Sequence, residues 1–295
     1  MTERLVDGLA ALAVRYDGFL LDQFGVLHDG TAVYAGVVDC LEALQATGKR
    51  VIILSNSGTR RDANITRLTR LGIPAELYED FVTSGEVTRA VLSEPPPELC
   101  PAGRAEGRLR CLPLLDGPAE RAILEGLAVT EVTDIAAADF LLLASFGQTP
   151  PPRDAFAKLF SEAQDRDLTL VCANPDVTGF RPEGLIPAPG AFAADYEAAG
   201  GKVIYIGKPH PLIYRHALDK LAPLPASRIV AVGDSLAHDV AGAQGVGLAA
   251  ALVIEGIHHE DLGNPADGAA FDSRLAALER QHHARPDYLL RRLTW

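Results

Sequence analysis

Short apolar runs that end on polar or charged residues recur along this chain, and they constrain its fold more than any other feature. The first is Gly18-Phe19-Leu20-Leu21, which runs into the carboxylate of Asp22 and is followed by Gln23, Phe24 and the turn residue Gly25. Ser55-Asn56-Ser57-Gly58 follows the run 51–54, and Lys208-Pro209 follows 203–206. Gly233-Asp234-Ser235, with Asp239 five residues after Asp234, follows 229–232. Between the runs, apolar residues fall at helical spacing: Val37, Cys40, Leu41 and Leu44 before Gly48, then Ile65, Leu68 and Leu71 before Gly72 and Pro74. Strands alternating with amphipathic helices predict an α/β fold, a parallel sheet with helices on its faces. In such a sheet the residues just past the strands meet at one edge, where open α/β sheets bind ligands.

The same grammar returns after residue 190. A helix is expected over 191–199, a strand over 203–206, a helix over 210–221 and a strand over 228–232. A short helical segment over 239–244 and a strand over 248–253 follow. Between the two halves the texture differs. Pro95-Pro96-Pro97 and the stretch 101–107 form a breaker-rich link. Strands are then expected over 110–115, 140–144 and 168–172, with helices over 119–126 and 153–165. The pattern predicts a second α/β domain, 83–187, inserted into a Rossmann-like core formed by 1–82 and 188–295. The C-terminal 271–295 reads as a helix followed by an extended segment, to which no role is assigned.

Composition matters for what it excludes. A formal charge of −12 over 295 residues argues against nucleic acid or an anionic membrane as the main partner. It leaves room for a phosphorylated small molecule, because a bound divalent cation inverts the local charge. No stretch reaches the ~18 apolar residues of a membrane span, and the first residues alternate charge with apolar side chains, unlike a signal peptide. Cys40, Cys100, Cys111 and Cys172 show no metal-ligand spacing. The expectation is a cytoplasmic protein with reduced cysteines. His258-His259-Glu260 lacks the spacing of a zinc-binding helix and is expected at the surface.

Taken singly, each polar residue has an ordinary use. Asp22 can cap or turn, Ser55 and Asn56 are loop formers, Lys208 is a solvated charge, and Asp234-Ser235 can cap a helix. Together and in this order, at four strand ends, they argue for a joint role. A carboxylate, a hydroxyl, an ammonium and a carboxylate pair suit phosphoryl transfer, which is mostly positioning and charge neutralisation.

The motif set resembles class IIA of the haloacid dehalogenase superfamily, the branch of NagD-like and p-nitrophenylphosphatase-like sugar and nucleotide phosphatases. Further similar landmarks are Ala35-Gly36, Gly48-Lys49, Thr83-Ser84, Ala173-Asn174-Pro175-Asp176 and Ile206-Gly207-Lys208-Pro209. The resemblance runs over about 15–257. It implies an inserted α/β cap of the C2 type that reads the leaving group. It implies Asp22 as nucleophile and Mg²⁺ ligand, with the backbone carbonyl of Phe24 and the carboxylate of Asp234 completing the metal site. Asp239 is implied as a further ligand or as an orienting neighbour. Ser55, Asn56 and Ser57 are implied to bind phosphoryl oxygens, and Lys208 to offset charge and keep Asp22 ionised. Asn174 and Asp176 are implied to meet the substrate from the cap. The expected substrate is a sugar phosphate or nucleotide monophosphate, and a homodimer through the cap is expected.

The chain departs from that family at one position. The family's first motif is Asp-x-Asp-Gly, whose second Asp shuttles a proton; here Phe24 stands there. A general acid/base contributes about 10²–10⁴-fold. Three outcomes follow. His28 or Asp29 substitutes, although His28 weighs more as a loop histidine than as a shuttle. Or the enzyme is slow, favouring good leaving groups. Or the chain is a metal-dependent binder of phosphorylated metabolites. Poor water activation also admits a phosphotransferase that passes the phosphoryl group to an alcohol.

Overall fold

The computed structural model describes residues 4–100, 108–115, 117–146, 151–181 and 184–295. The expected link over 101–107 lies outside them. In chain order the strands are β1 (Leu5–Val6), β2 (Gly18–Leu21), β3 (Arg50–Ser55), β4 (Asp80–Thr83) and β5 (Leu109–Leu114). Then come β6 (Val129–Glu131), β7 (Phe140–Leu143), β8 (Thr169–Cys172), β9 (Thr178–Arg181) and β10 (Gly184–Pro187). The last are β11 (Lys202–Tyr205), β12 (Ile229–Gly233), β13 (Ala249–Val253) and β14 (Tyr288–Leu290). They divide between two compact units.

The first unit comprises Met1–Ser55, Ile65–Val82 and Lys208–Trp295. Its seven-stranded sheet has the order β1-β14-β13-β12-β2-β3-β4, and the pairings from β1 through to β3 are parallel. Phe19, Leu21, Val51, Ile53, Val230 and Val232 pack in one core with Leu41, Leu44 and Leu68 from the helices Val37–Ala46 and Arg61–Leu71. The alternate residues Leu20, Ile52 and Ala231 are buried as well. Side chains alternate across a sheet, so burial on both faces is what makes these strands apolar without a break. Each Leu, Ile or Phe so buried contributes about 1.5–3 kcal/mol. The extended C-terminal segment has a role after all: as β14 it lies parallel between β13 and β1.

The second unit comprises Asn56–Asn64 and Thr83–Gly207. Its five-stranded sheet runs β11-β8-β7-β5-β6 with parallel pairings, and β9 and β10 form an antiparallel hairpin. Leu141, Leu143, Leu170 and Cys172 pack against Phe160, Phe192 and Tyr196. The helix expected over 119–126 is confined to Pro118–Arg121. The unit runs on to Gly207 rather than ending at 187, because β11 pairs with β8 from Lys202↔Thr169 to Tyr205↔Cys172. The helix Pro189–Ala198 and β11, read from the sequence as core, therefore belong to this unit. A buried parallel strand carries the same apolar pattern in either sheet, so periodicity alone does not assign it. No helix among the described residues is long and apolar enough to cross a membrane.

Candidate active site

Parallel pairing aligns Leu21 of β2 with Val232 of β12, so Asp22 and Asp234 leave the sheet at the same edge. The Asp22 amide donates to the Val232 carbonyl at 2.9 Å. Asp22, Asp234 and Asp239 each bring a carboxylate oxygen within 4.8 Å of the others. Lys208 Nζ lies 2.6 Å from Asp22 Oδ1 and 2.7 Å from Asp239 Oδ1. Three of the four expected strand ends, those of β2, β3 and β12, belong to this sheet. The fourth does not: Lys208 follows β11 of the other sheet. It stands instead just before the helix Pro211–Leu221, which buries Ile213, Tyr214, Ala217 and Leu221. From that helix the Tyr214 hydroxyl reaches the carbonyls of His238 and Asp239, at 3.1 Å each, and so ties Lys208's helix to the turn that carries Asp239.

Two glycines make this packing possible. A Cβ on Gly233 would lie 2.0 Å from Asp239 Cγ, so only glycine lets that carboxylate fold back over the strand end and accept from the Ser235 amide at 3.1 Å. Gly25 has φ +75°, and a Cβ there would lie 1.8 Å from Asp234 Oδ2. That same oxygen accepts from the Ile257 amide at 2.8 Å.

Burial pushes the Asp22 carboxyl up to about 7, against the pull of Lys208 and with repulsion from Asp239. Burial also raises Asp234 well above its ordinary value, with Asp22 and Asp239 adding to it. For Lys208 burial disfavours the charge, but Asp22 and Asp239 outweigh it and hold the ammonium above its ordinary pKa. The ammonium faces two of the three acids, and their remaining repulsion is what a divalent cation relieves. A set of buried carboxylate oxygens is the hard donor set that Mg²⁺ takes. The residues present therefore fit the ion that the resemblance implies.

Behind Ser55 lies a network that sequence reasoning missed. Gln23 Nε2 donates to Ser55 Oγ. Gln23 Oε1 accepts from Arg67 Nη2 at 2.7 Å and lies 3.4 Å from His28 Nε2. Arg67 Cζ also stands 5.0 Å from the Phe24 ring centroid, and the His28 ring meets the same ring edge-on at 4.5 Å. Phe24 is 43% exposed. Gln23 carries a weak signal, a polar residue next to Asp22; a cation on a helix, such as Arg67, carries none.

His28 and Asp29, the expected substitutes for the missing acid/base, are both committed to the turn. His28 Nδ1 accepts from the Gly30 amide at 2.9 Å, so Nε2 carries the proton and faces Gln23. Burial, then the nearby Arg67, lowers His28 to about 4. Asp29 Oδ1 accepts from the Thr31 hydroxyl and the amides of Thr31 and Ala32 at 2.7–2.8 Å. Those bonds, the Thr31 hydroxyl first, lower Asp29 to about 2.

Among the other expected residues, Ser57 Oγ lies 2.9 Å from Thr59 Oγ1. Within the second unit, Asn56 Nδ2 donates to Asp176 Oδ1 at 2.7 Å, and the Asp176 amide donates to Asn174 Oδ1 at 3.0 Å. His258, expected at the surface, is buried: its Nε2 accepts the Leu236 amide at 3.2 Å. That amide opens the helical turn Leu236–Val240 and needs an acceptor away from water.

Comparison with known proteins gives a consistent set of matches. Family models of haloacid dehalogenase-like hydrolases match residues 19–109 and 104–247, and a HAD-hydrolase-like model matches 205–294. Dihydroxyacetone phosphatase of Corynebacterium glutamicum is 42% identical over 89 residues, 30% of this chain and 32% of that protein. The chain thus spans about a third of that relative's length. Acid sugar phosphatase of Staphylococcus aureus is 26% identical over 238 residues, 79% of this chain and 85% of its own. A crystal structure of a haloacid dehalogenase-like family hydrolase from Brucella suis 1330 superposes with a TM-score of 0.80 at 29% identity, covering 98% of this chain and 100% of that one.

Proposed function

Because the chain belongs to the haloacid dehalogenase superfamily, we propose that it is a Mg²⁺-dependent, class IIA phosphatase of small phosphomonoesters that works through an aspartyl-phosphate on Asp22. The observation that carries this reading is the buried contact of Lys208 with both Asp22 and Asp239, beside Asp234. Sugar phosphates are the substrate class favoured, on the name of the staphylococcal relative matched over 85% of its length; nucleotide monophosphates are the second class. The homodimer expected from the resemblance belongs to this proposal, and light scattering at micromolar concentration tests it.

In this mechanism an Asp22 carboxylate oxygen attacks phosphorus. The bond from phosphorus to the ester oxygen breaks, and its electron pair leaves with that oxygen. Lys208 draws Asp22 toward its ionised form and offsets the charge that spreads over the phosphoryl oxygens. Ser55 donates its hydroxyl proton to one of those oxygens. Asp22, Asp234, Asp239 and the Phe24 carbonyl would hold Mg²⁺, which would add positive charge to that of Lys208. The leaving oxygen takes its proton from water, since Phe24 has none to give and His28 is held neutral in its turn. Water then attacks the aspartyl-phosphate, releases orthophosphate and restores Asp22.

Phe24 and the committed His28 favour a second reading, a phosphotransferase. With neither Phe24 nor His28 to activate water, the aspartyl-phosphate persists long enough for an alcohol to take the phosphoryl group. Added glycerol separates the two, because transfer yields glycerol phosphate and hydrolysis yields orthophosphate. The test of the main reading is turnover of a panel of sugar phosphates, nucleotide monophosphates and p-nitrophenyl phosphate with Mg²⁺. Binding to panel members without turnover would establish a binder instead.

A further inference from the structure

The network behind Ser55 has a forced polarity. A guanidinium only donates and keeps its protons throughout the working pH range. Arg67 Nη2 lies 2.7 Å from one end of the Gln23 carboxamide, so that end is the oxygen. His28 Nε2 also carries its proton toward this oxygen, because His28 Nδ1 accepts from Gly30. Two donors on the oxygen fix the amide's orientation, and its NH₂ then faces Ser55 Oγ. An amide nitrogen only donates, so Ser55 Oγ accepts at this contact. The hydroxyl has a single proton, and Gln23 cannot take it. Gln23 is 1% and Ser55 3% exposed, so bulk water does not scramble the arrangement.

We infer that Gln23 is a positioning residue, oriented by Arg67 and His28, that turns the Ser55 hydroxyl proton toward the phosphoryl group. The inference rests on the proposed reading of Ser55 as a phosphoryl-binding residue. Without Gln23 the hydroxyl loses the donor that keeps its proton from turning toward position 23, and a lone pair meets an anionic oxygen more often. With an acceptor at position 23 the proton is drawn inward and the phosphoryl group meets the lone pairs alone.

The test is a double-mutant cycle on the full chain. Its readouts are KM for p-nitrophenyl phosphate and the inhibition constant of orthophosphate, with thermal melts alongside. Ser55→Ala is expected to raise both constants about tenfold or more, the size of one hydrogen bond to a charged group. Gln23→Glu turns the donor into an acceptor and is expected to raise them by a similar factor. Gln23→Met removes the amide without adding charge, covers the case in which Gln23→Glu misfolds, and is expected to raise them about threefold. In the Ser55→Ala background, Gln23→Met is expected to change neither constant further. A structural role for Gln23 predicts effects that multiply in the double variant, and that result overturns the inference. Unchanged constants in Ser55→Ala alone overturn the reading of Ser55 and, with it, the role of Gln23.

Discussion

The Lys208 ammonium lies 2.6 Å from Asp22 Oδ1 with only 3% of its side chain exposed. Removing it leaves a buried carboxylate without a counter-charge, which destabilises by about 3–5 kcal/mol. Asp22 then gains a proton and loses the nucleophilic role proposed for it. Lys208→Met is expected to lower both Tm and kcat, the latter by at least about 10²-fold, in the range of other lost transition-state charge contacts. Steady-state kinetics on the folded fraction checks this, and ordinary turnover in that variant is incompatible with the mechanism.

Asp22, Asp234 and Asp239 crowd together with one ammonium facing two of them. Mg²⁺ is therefore expected to raise Tm in a concentration-dependent way, because it binds the folded state and relieves the repulsion. Excess chelator is expected to stop turnover, and Asp234→Asn to weaken the Mg²⁺ effect on Tm. Asp22→Asn is expected to keep the fold and lose turnover. Full activity in chelator, or an active Asp22→Asn, would falsify the metal-assisted aspartyl-phosphate route.

On the proposed mechanism, Phe24 cannot serve as the base of the second half-reaction. An activated aryl phosphate is expected to give a burst of leaving group and then slow turnover, as the aspartyl-phosphate accumulates. Phe24→Asp is expected to speed the slow phase. At 43% exposure Phe24 has less packing to lose than a buried ring, whose removal costs about 3–5 kcal/mol. Stopped-flow traces of the two proteins settle the matter: no burst in the first and no gain in the second would show that Phe24 is not the bottleneck.

His28 spends both ring nitrogens on its own turn, toward Gly30 and Gln23. His28→Ala is expected to lower Tm through the lost turn contacts, while kcat on the folded fraction falls less than about tenfold. Loss of a proton shuttle would lower kcat about 10²–10⁴-fold with Mg²⁺ binding retained. That larger fall, in a protein of normal Mg²⁺ affinity, would return His28 to the chemistry.

Much of the site was legible because it is local. A carboxylate at the end of an apolar run, as at Asp22 and Asp234, or a hydroxyl there, as at Ser55, is placed by its own strand. Strand identity is written in a few adjacent residues. Gly25 was legible only as a turn glycine, and Gly233 only as the residue before Asp234. That each makes room for a carboxylate, Asp234 and Asp239 respectively, came from the packing. The role of β14 was hidden because an extended tail becomes a strand only when β1 and β13 flank it.

The sequence by itself determined the α/β alternation and the identity of Asp22, Ser55, Lys208, Asp234 and Asp239 as candidates, because period and motif order are properties of neighbouring residues. Tertiary structure alone decided which sheet takes β11, since a parallel strand buried on both faces has the same composition wherever it pairs. It alone joined Gln23 to Arg67, 44 residues away, and so set the direction of the hydrogen bond to Ser55. It also turned His28 from a candidate shuttle into a part of its turn. Hydrogen-bond polarity depends on which donor stands opposite which acceptor, and only the folded chain brings the two together.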